Sequence, residues 1–327
     1  MLITGPVSRD QARAFVPAGT PDEDAGEGTA RPTGESGAVP VTAARDGIAV
    51  TLPRQSHAER QNLEGAQQGK PYRLSTLGRD IGKTKWELLG VTAAFTATRI
   101  GTLVNNPTGF HVVKEGYFGR GTESLGMDKL HHAYKTYVLA DVLQTLIARR
   151  TGEGEAAALS GAVISFGMFT YAELLDAFSR GHGWSNEDMV MHIGGAGVAL
   201  ARNLVPGLRD KLDFRMEIVP TFKGDFWRLK NQLADRKYLF AVKLAGFDRI
   251  RDTPLRFLEL HGGYYARGFS DIERQRGDPL RRNVYFAIGL NVQQLLFGRN
   301  KREAFVGRMA RGAFDYLQVP YAYQELD

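Results

Sequence analysis

The 327-residue sequence contains no cysteine. This absence excludes a disulfide scaffold, a thiolate zinc site, an iron–sulfur cluster and a cysteine nucleophile. It also removes the residue that carries the lipid of a bacterial lipoprotein. The N-terminus, MLITGPVSRD, has no basic segment followed by an apolar one. We therefore expect neither a signal peptide nor a lipid anchor in the sequence as given.

Long runs of lysine and arginine are also lacking, although 42 basic residues outnumber 36 acidic ones and give a net charge of +6. Without a concentrated basic segment we expect no nucleic-acid partner. A moderately basic chain is compatible with an anionic membrane surface, and we expect an envelope or membrane component as partner. The oligomeric state is left open. Phosphate-binding loops, H-E-x-x-H helices and G-x-S-x-G elbows are absent from the sequence.

Large apolar side chains are scarce near the N-terminus. Residues 17–46 are rich in Pro, Gly, Ala, Glu and Thr, a composition that buries too little surface to offset chain entropy. We predict that residues 1–70 form a disordered or loosely held tail. GIAVTL (47–52) is its strand-like piece, and the alternative is that it docks as an extra strand.

Hydrophobic periodicity predicts a helical bundle over residues 71–210, followed by a strand-containing extension over residues 211–327. The predicted fold class is mainly α: a four-helix bundle core with a small C-terminal β ribbon or sheet and a C-terminal amphipathic helix. The helices are expected at about 86–103, 127–149, 155–180 and 186–206, the strands at 213–220, 237–247, 254–269 and 281–297, and the terminal helix at 302–317.

The third helix raises the question of a membrane span. Residues 156–172 carry no charge, but this run is shorter than the roughly 20 residues that a bilayer needs. The neighbouring helices contain Arg99 and Arg202. We favour a soluble or peripheral bundle over an integral membrane protein. Gly194, Gly195 and Gly197 are interpreted as helix-packing positions, because they lie inside a helix rather than between a strand and a helix.

Acidic residues and histidines recur at helical spacing near three predicted helix ends. Asp128 and His132 are four residues apart, as are Asp188 and His192, so each pair shares a helix face. Antiparallel packing would bring these pairs to one end of the bundle, beside the end of the third helix. The predicted polar cluster comprises Asp128, Lys129, His132, Glu173, Asp176, Ser185, Asp188 and His192.

Three interpretations of this cluster stay open. A divalent metal could be bound by Asp128, His132, Glu173 and Asp188, or the same groups could perform acid–base chemistry. The third interpretation is structural: Ser185 and Asp188 would cap a helix, while Glu173 and Asp176 would pair with Lys129 or Arg180. His131 is expected on a different helix face, in solvent.

The segment Gly126-Met-Asp-Lys-Leu-His-His-Ala-Tyr134 resembles the D-K-x-x-H-x-x-x-Y signature of the YfiM-like family of predicted bacterial periplasmic lipoproteins. A related D-K-x-x-H element occurs in VanZ-like membrane proteins. The resemblance covers roughly residues 84–297 and includes YAELLD (171–176), GWSNED (183–188), GGAG (194–197), DFWRL (225–229) and RNVYF (282–286). It implies a location in the cell envelope, periplasmic or membrane-associated, and no established reaction.

These observations favour a non-enzymatic binding or assembly module of the cell envelope, whose polar cluster lies at one end of a helical bundle. The alternative is a metal-dependent or acid–base hydrolase that acts on an envelope substrate.

Overall fold

A computed structural model describes residues 72–219, 233–298 and 312–326. The predictions for residues 1–70, for DFWRL (225–229) and for the greater part of the terminal helix, residues 302–311, lie outside these ranges. The chain from Gln68 to Asp327 forms one compact unit.

The helices arise where apolar residues recur at helical spacing. All four predicted helices are confirmed, with boundaries within four residues of those expected. A helix that the sequence analysis missed, α1, precedes them. The helices are α1 (Leu74–Lys83), α2 (Lys85–Asn105), α3 (Met127–Thr151), α4 (Gly154–Asp176), α5 (Asn186–Leu204) and the short α6 (Leu208–Lys211), α7 (Asp271–Gln275) and α8 (Val292–Phe297).

Local sequence determines the ends of the helices that position the polar cluster. Gly126 and Gly152 flank α3 with positive φ angles of 89° and 75°, a conformation that glycine adopts without steric cost. The predicted cap of α5 is confirmed, since Ser185 Oγ accepts a hydrogen bond from the Asp188 N–H at 3.2 Å.

The C-terminal half forms a six-stranded sheet rather than a small ribbon. Its order is β7-β3-β4-β5-β6-β8, and every neighbouring pair is antiparallel except the parallel pair β3–β7. A separate two-stranded parallel pair joins β1, which precedes the loop before α3, to β2, which directly precedes α5. The strands are β1 (Val112–Val113), β2 (Trp184–Ser185), β3 (Leu212–Ile218), β4 (Arg236–Lys243), β5 (Leu258–Arg267), β6 (Arg281–Leu290), β7 (Leu317–Gln318) and β8 (Tyr323–Leu326).

The predicted fold class, a mainly α protein with a four-helix bundle core, is therefore wrong. The sheet shares a core with the helices: Tyr134 and Tyr137 of α3 pack against Phe214, Tyr238 and Ala266 of the sheet. The expected strands pair with one another and with two short terminal strands that the sequence analysis missed. The last residue of the predicted terminal helix, Leu317, is instead the first residue of strand β7. The protein combines helices and a large sheet around common apolar contacts.

Close helix packing depends on one of the three glycines in α5. A Cβ atom at Gly195 would lie 2.0 Å from the Ala133 carbonyl oxygen of α3, whereas a Cβ at Gly194 meets nothing within 4 Å. The interpretation of this motif as a packing feature is thus confirmed at Gly195.

This contrast gives a stability prediction. Gly195→Ala should lower the free energy of unfolding by about 1–3 kcal/mol, because α5 must move away from α3. Gly194→Ala, the matched control, should leave stability unchanged or raise it by up to about 1 kcal/mol through helix propensity. Urea unfolding followed by circular dichroism measures both. Equal stabilities of the two variants would contradict the observed packing.

Within the described residues, α4 is the helix long and apolar enough to cross a membrane by length and composition. However, 56% of its apolar window is buried inside the protein. A buried core helix meets the same criteria, so the preference for a soluble or peripheral protein stays a prediction.

Candidate functional site

Three helix ends meet at one end of the bundle. The first turns of α3, the last turn of α4 and the first turns of α5 surround a shared cavity. Six of the eight predicted cluster residues line this cavity, and His192 lies beside it, next to His132. The cavity has a volume of about 760 Å³. Its lining includes Asp128, Lys129, His132, Glu173, Asp176 and Asp188.

The centre of the cluster is a triangle of ligand atoms from the three helices. His132 Nδ1 lies 3.1 Å from His192 Nε2 and 3.4 Å from Glu173 Oε1. His192 Nε2 lies 3.5 Å from the same Glu173 oxygen. In a tetrahedral zinc site with ligands at about 2.0–2.1 Å, neighbouring ligand atoms are about 3.4 Å apart. The three atoms therefore already have the spacing that such an ion requires.

His192 is fixed with one nitrogen toward this triangle. Thr136 Oγ1 donates to the His132 backbone carbonyl at 2.9 Å, so the same oxygen accepts the Nδ1–H of His192 at 2.6 Å. This hydrogen bond assigns the lone pair to Nε2. The ring also stacks on Phe169, with centroids 5.0 Å apart and planes at 14°. Burial and the positive charge of Lys135 lower the pKa of His192 to about 3, which keeps its imidazole neutral.

His132 is held on its opposite side by Asp128, whose Oδ1 lies 3.4 Å from Nε2. Because His192 Nε2 carries a lone pair, His132 Nδ1 donates the hydrogen bond that joins the two rings at 3.1 Å. When Nδ1 binds a metal instead, Asp128 can accept the ring proton at Nε2. This arrangement, in which a carboxylate orients a histidine whose other nitrogen binds a metal, is common in zinc sites. Asp128 is thus better placed to orient a ligand than to be one.

Glu173 is a buried carboxylate without a conventional partner. Among the residues that the structure describes, its ion-pair contacts are the imidazoles of His132 and His192. Burial raises the pKa of Glu173 above its ordinary value. A buried carboxylate beside two imidazoles is a group that a bound cation would stabilise.

Lys129 organises the neighbouring acidic groups. Its Nζ donates to Asp188 Oδ1 at 2.7 Å and to Glu115, and Asp128 Oδ2 lies 3.4 Å away. Burial, with a contribution from the nearby Asp128, raises the pKa of Asp188 to about 6. Asp128, His132 and Asp188 form a second group of close ligand atoms, but the Lys129 ammonium contacts both of its carboxylates and repels a further cation there. The first triangle is therefore the better metal candidate.

The remaining predicted residues have structural contacts. Asp176 forms an ion pair with Arg99 at 3.0 Å, not with Lys129 or Arg180, although it still lines the cavity. Ser185 is buried as the cap of α5. His131, expected in solvent, is partly buried instead, and its Nδ1 is 2.9 Å from the Tyr238 hydroxyl. The sheet, absent from the predicted fold, covers this side of α3.

Sequence reasoning missed three residues of the site: Glu115, Thr136 and Phe169. Thr136 follows His132 by four residues and Phe169 precedes Glu173 by four, so helical spacing placed each on the relevant face. Glu115 lies in the loop before α3, where no periodic pattern points to Lys129.

The site lies in the part of the chain that matches a known protein family. Residues 114–204 match the family described as predicted periplasmic lipoprotein (DUF2279). No curated protein and no solved structure matches the chain. The match confirms the resemblance to an uncharacterised family of predicted periplasmic lipoproteins, while the YfiM-like name and the VanZ element stay predictions.

The matched segment spans α3, α4 and α5 together with the loop that carries Glu115. It therefore contains the whole triangle and its supporting residues, whereas the six-stranded sheet lies outside it. The family description agrees with the predicted location in the cell envelope and confirms it as periplasmic or envelope-associated.

Proposed function

We propose that this cell-envelope protein binds a divalent transition metal through His132, His192 and Glu173. The observation that carries the proposal is the triangle of two ring nitrogens and one carboxylate oxygen, 3.1–3.5 Å apart, in a buried setting. Two imidazoles and one carboxylate are a donor set that suits zinc and related ions better than magnesium or calcium. The proposal gives the predicted binding module a ligand of defined chemistry.

The supporting residues match what a metal site needs outside its ligands. Thr136 orients His192, and Asp128 orients His132, so that both ring nitrogens face the same point. Neutral imidazoles are the protonation state that binds metals. The cavity beside the triangle gives an ion a route of entry and leaves room for a further ligand.

Calorimetric titration of the untagged, chelator-free chain with Zn²⁺ tests the proposal. We expect saturation at one ion per chain. Asp128→Asn removes a residue that orients a ligand and should weaken zinc binding by roughly 10- to 100-fold. His192→Ala and Glu173→Ala each remove a proposed ligand and should weaken zinc binding by more than this. His182→Ala, an exposed histidine on the rim of the same cavity, is the matched control and should bind as wild type.

Two results would overturn the proposal. One is a titration without saturable binding, and the other is unchanged affinity in His192→Ala. Because His182→Ala removes an imidazole without removing a proposed ligand, it separates the site from nonspecific binding to surface histidines.

A hydrolytic role is the second candidate, because the cavity places two further groups beside the triangle. Asp188 Oδ1 lies 3.9 Å from His132 Nδ1 and offers a proton acceptor, while Lys129 offers an ammonium for an anionic substrate group. If this role holds, the zinc-loaded protein should cleave nitrophenyl esters or phosphoesters, and Asp188→Asn should lose the activity while retaining zinc. Absence of turnover in the loaded wild type would leave metal binding as the function.

A further inference from the structure

The six-stranded sheet has an apolar side that the helices cover only in part. On β6, Val284, Phe286, Ile288 and Leu290 alternate with buried residues, and all four are exposed; Val284 retains 72% and Phe286 64% of its accessible surface. A strand with one solvated face normally places polar side chains there. The apolar row on β6 therefore requires an explanation.

Strand register makes this row part of a continuous surface. Phe286 pairs with Gly262 of β5 and Leu326 of β8, and Ile288 pairs with Leu260 of β5. Gly262 in turn pairs with Phe240 of β4. We call this surface the apolar sheet patch; its exposed members are Phe240, Leu260, Val284, Phe286, Ile288, Leu290 and Leu326.

The acidic residues of the sheet point to the opposite side. Asp213, Glu217, Glu259 and Glu325, which are all the acidic residues of the six described strands, share the other face by register. Arg215 pairs there with Glu259 at 2.7 Å and with Asp213 at 2.6 Å. The sheet thus buries ion pairs on one side and exposes apolar side chains on the other, the polarity found in sheets that face lipid.

The charge at the border of the apolar sheet patch indicates what the patch binds. The exposed Arg282 continues the row of Val284 and Phe286 on the same side, whereas that side carries no acidic residue on the described strands. A symmetric dimer through this patch would bring like charges from the two copies into one interface. Anionic headgroups complement this border while acyl chains accept the apolar side chains.

We propose that the apolar sheet patch seats the protein on an anionic phospholipid surface, with Arg282 at the headgroups. The attachment is peripheral and is independent of the proposed metal site. It supplies a physical basis for the envelope location.

Flotation of the full chain with vesicles tests this proposal. The chain should float with phosphatidylcholine vesicles that contain phosphatidylglycerol, and much less with phosphatidylcholine alone or at high salt. The double variant Val284→Asp with Phe286→Asp should reduce the bound fraction at least about tenfold, since several buried methylene groups are lost. Val142→Asp, an exposed valine on α3, is the matched control and should float as wild type.

The lack of cysteine permits a second readout on the same vesicles. A fluorophore attached at Val284→Cys should shift to shorter emission wavelengths on anionic vesicles, while one at Val142→Cys should not. Thermal unfolding of each variant checks that it is folded. The proposal is overturned if the wild-type chain stays unbound, if the double variant floats like wild type, or if the substitutions convert a dimer to a monomer without changing flotation.

Discussion

Replacing Arg202 with methionine is expected to lower the free energy of unfolding by about 3–5 kcal/mol. Arg202 is almost fully buried between α5, α3 and β3, where it donates to Asp141 at 2.9 Å and to Asp213 at 2.7 Å. Its Nε also donates to the Leu212 carbonyl oxygen. The variant leaves two buried carboxylates with fewer cations, although Arg209 and Lys243 remain nearby.

Chemical denaturation at neutral pH measures this effect, and Arg251→Met is its control. Arg251 pairs with Asp248 at the surface, at 3.1 Å, so its loss should cost less than about 1 kcal/mol. If Arg202→Met were as stable as Arg251→Met, the junction between helices and sheet would not depend on this buried network.

Glu173→Gln is expected to separate metal binding from stability. Without metal, the variant should be about 1 kcal/mol more stable than wild type at neutral pH, as is common when a functional charge is removed from a core. Burial raises the pKa of Glu173 in the folded protein, so folding is penalised once the carboxylate ionises. The stability difference should therefore shrink as the pH falls and Glu173 becomes protonated.

With Zn²⁺ present the order should reverse. At a free concentration of one hundred times the Kd, the ion should stabilise the wild type by about 2.7 kcal/mol, and the variant should gain little. Glu155→Gln, an exposed glutamate on the same helix, should behave as wild type in both conditions. A destabilised Glu173→Gln without metal would assign Glu173 a structural role instead.

The helices of the bundle could be predicted from sequence because each helix is determined by residues that are close together in the chain. Helical spacing located four helices, and i, i+4 pairs together with antiparallel packing placed Asp128, His132, Glu173 and Asp188 near one another. What spacing does not give is the direction of each side chain. Lys129 occupies the carboxylates of Asp188 and Glu115, whereas His192 turns its Nε2 toward Glu173 because Thr136 holds Nδ1.

The sheet could not be predicted to the same extent. Its strands pair with segments far away in the chain, and several of its charged side chains are buried while apolar ones are exposed. β3 alternates Asp213, Arg215 and Glu217 toward a buried side, so a charge in this strand does not mark solvent. Its partner β7 lies about one hundred residues further along the chain. Arg202 is a related case, since nothing in the helix sequence indicates that its partners are Asp141 of another helix and Asp213 of a strand.

X-ray absorption at the zinc edge, on protein loaded with one ion per chain, tests the metal site most directly. The account predicts nitrogen and oxygen ligands at about 2.0–2.1 Å, with the scattering of two imidazoles in the wild type and of one in His192→Ala. A spectrum without imidazole scattering, or one that His192→Ala leaves unchanged, would contradict it.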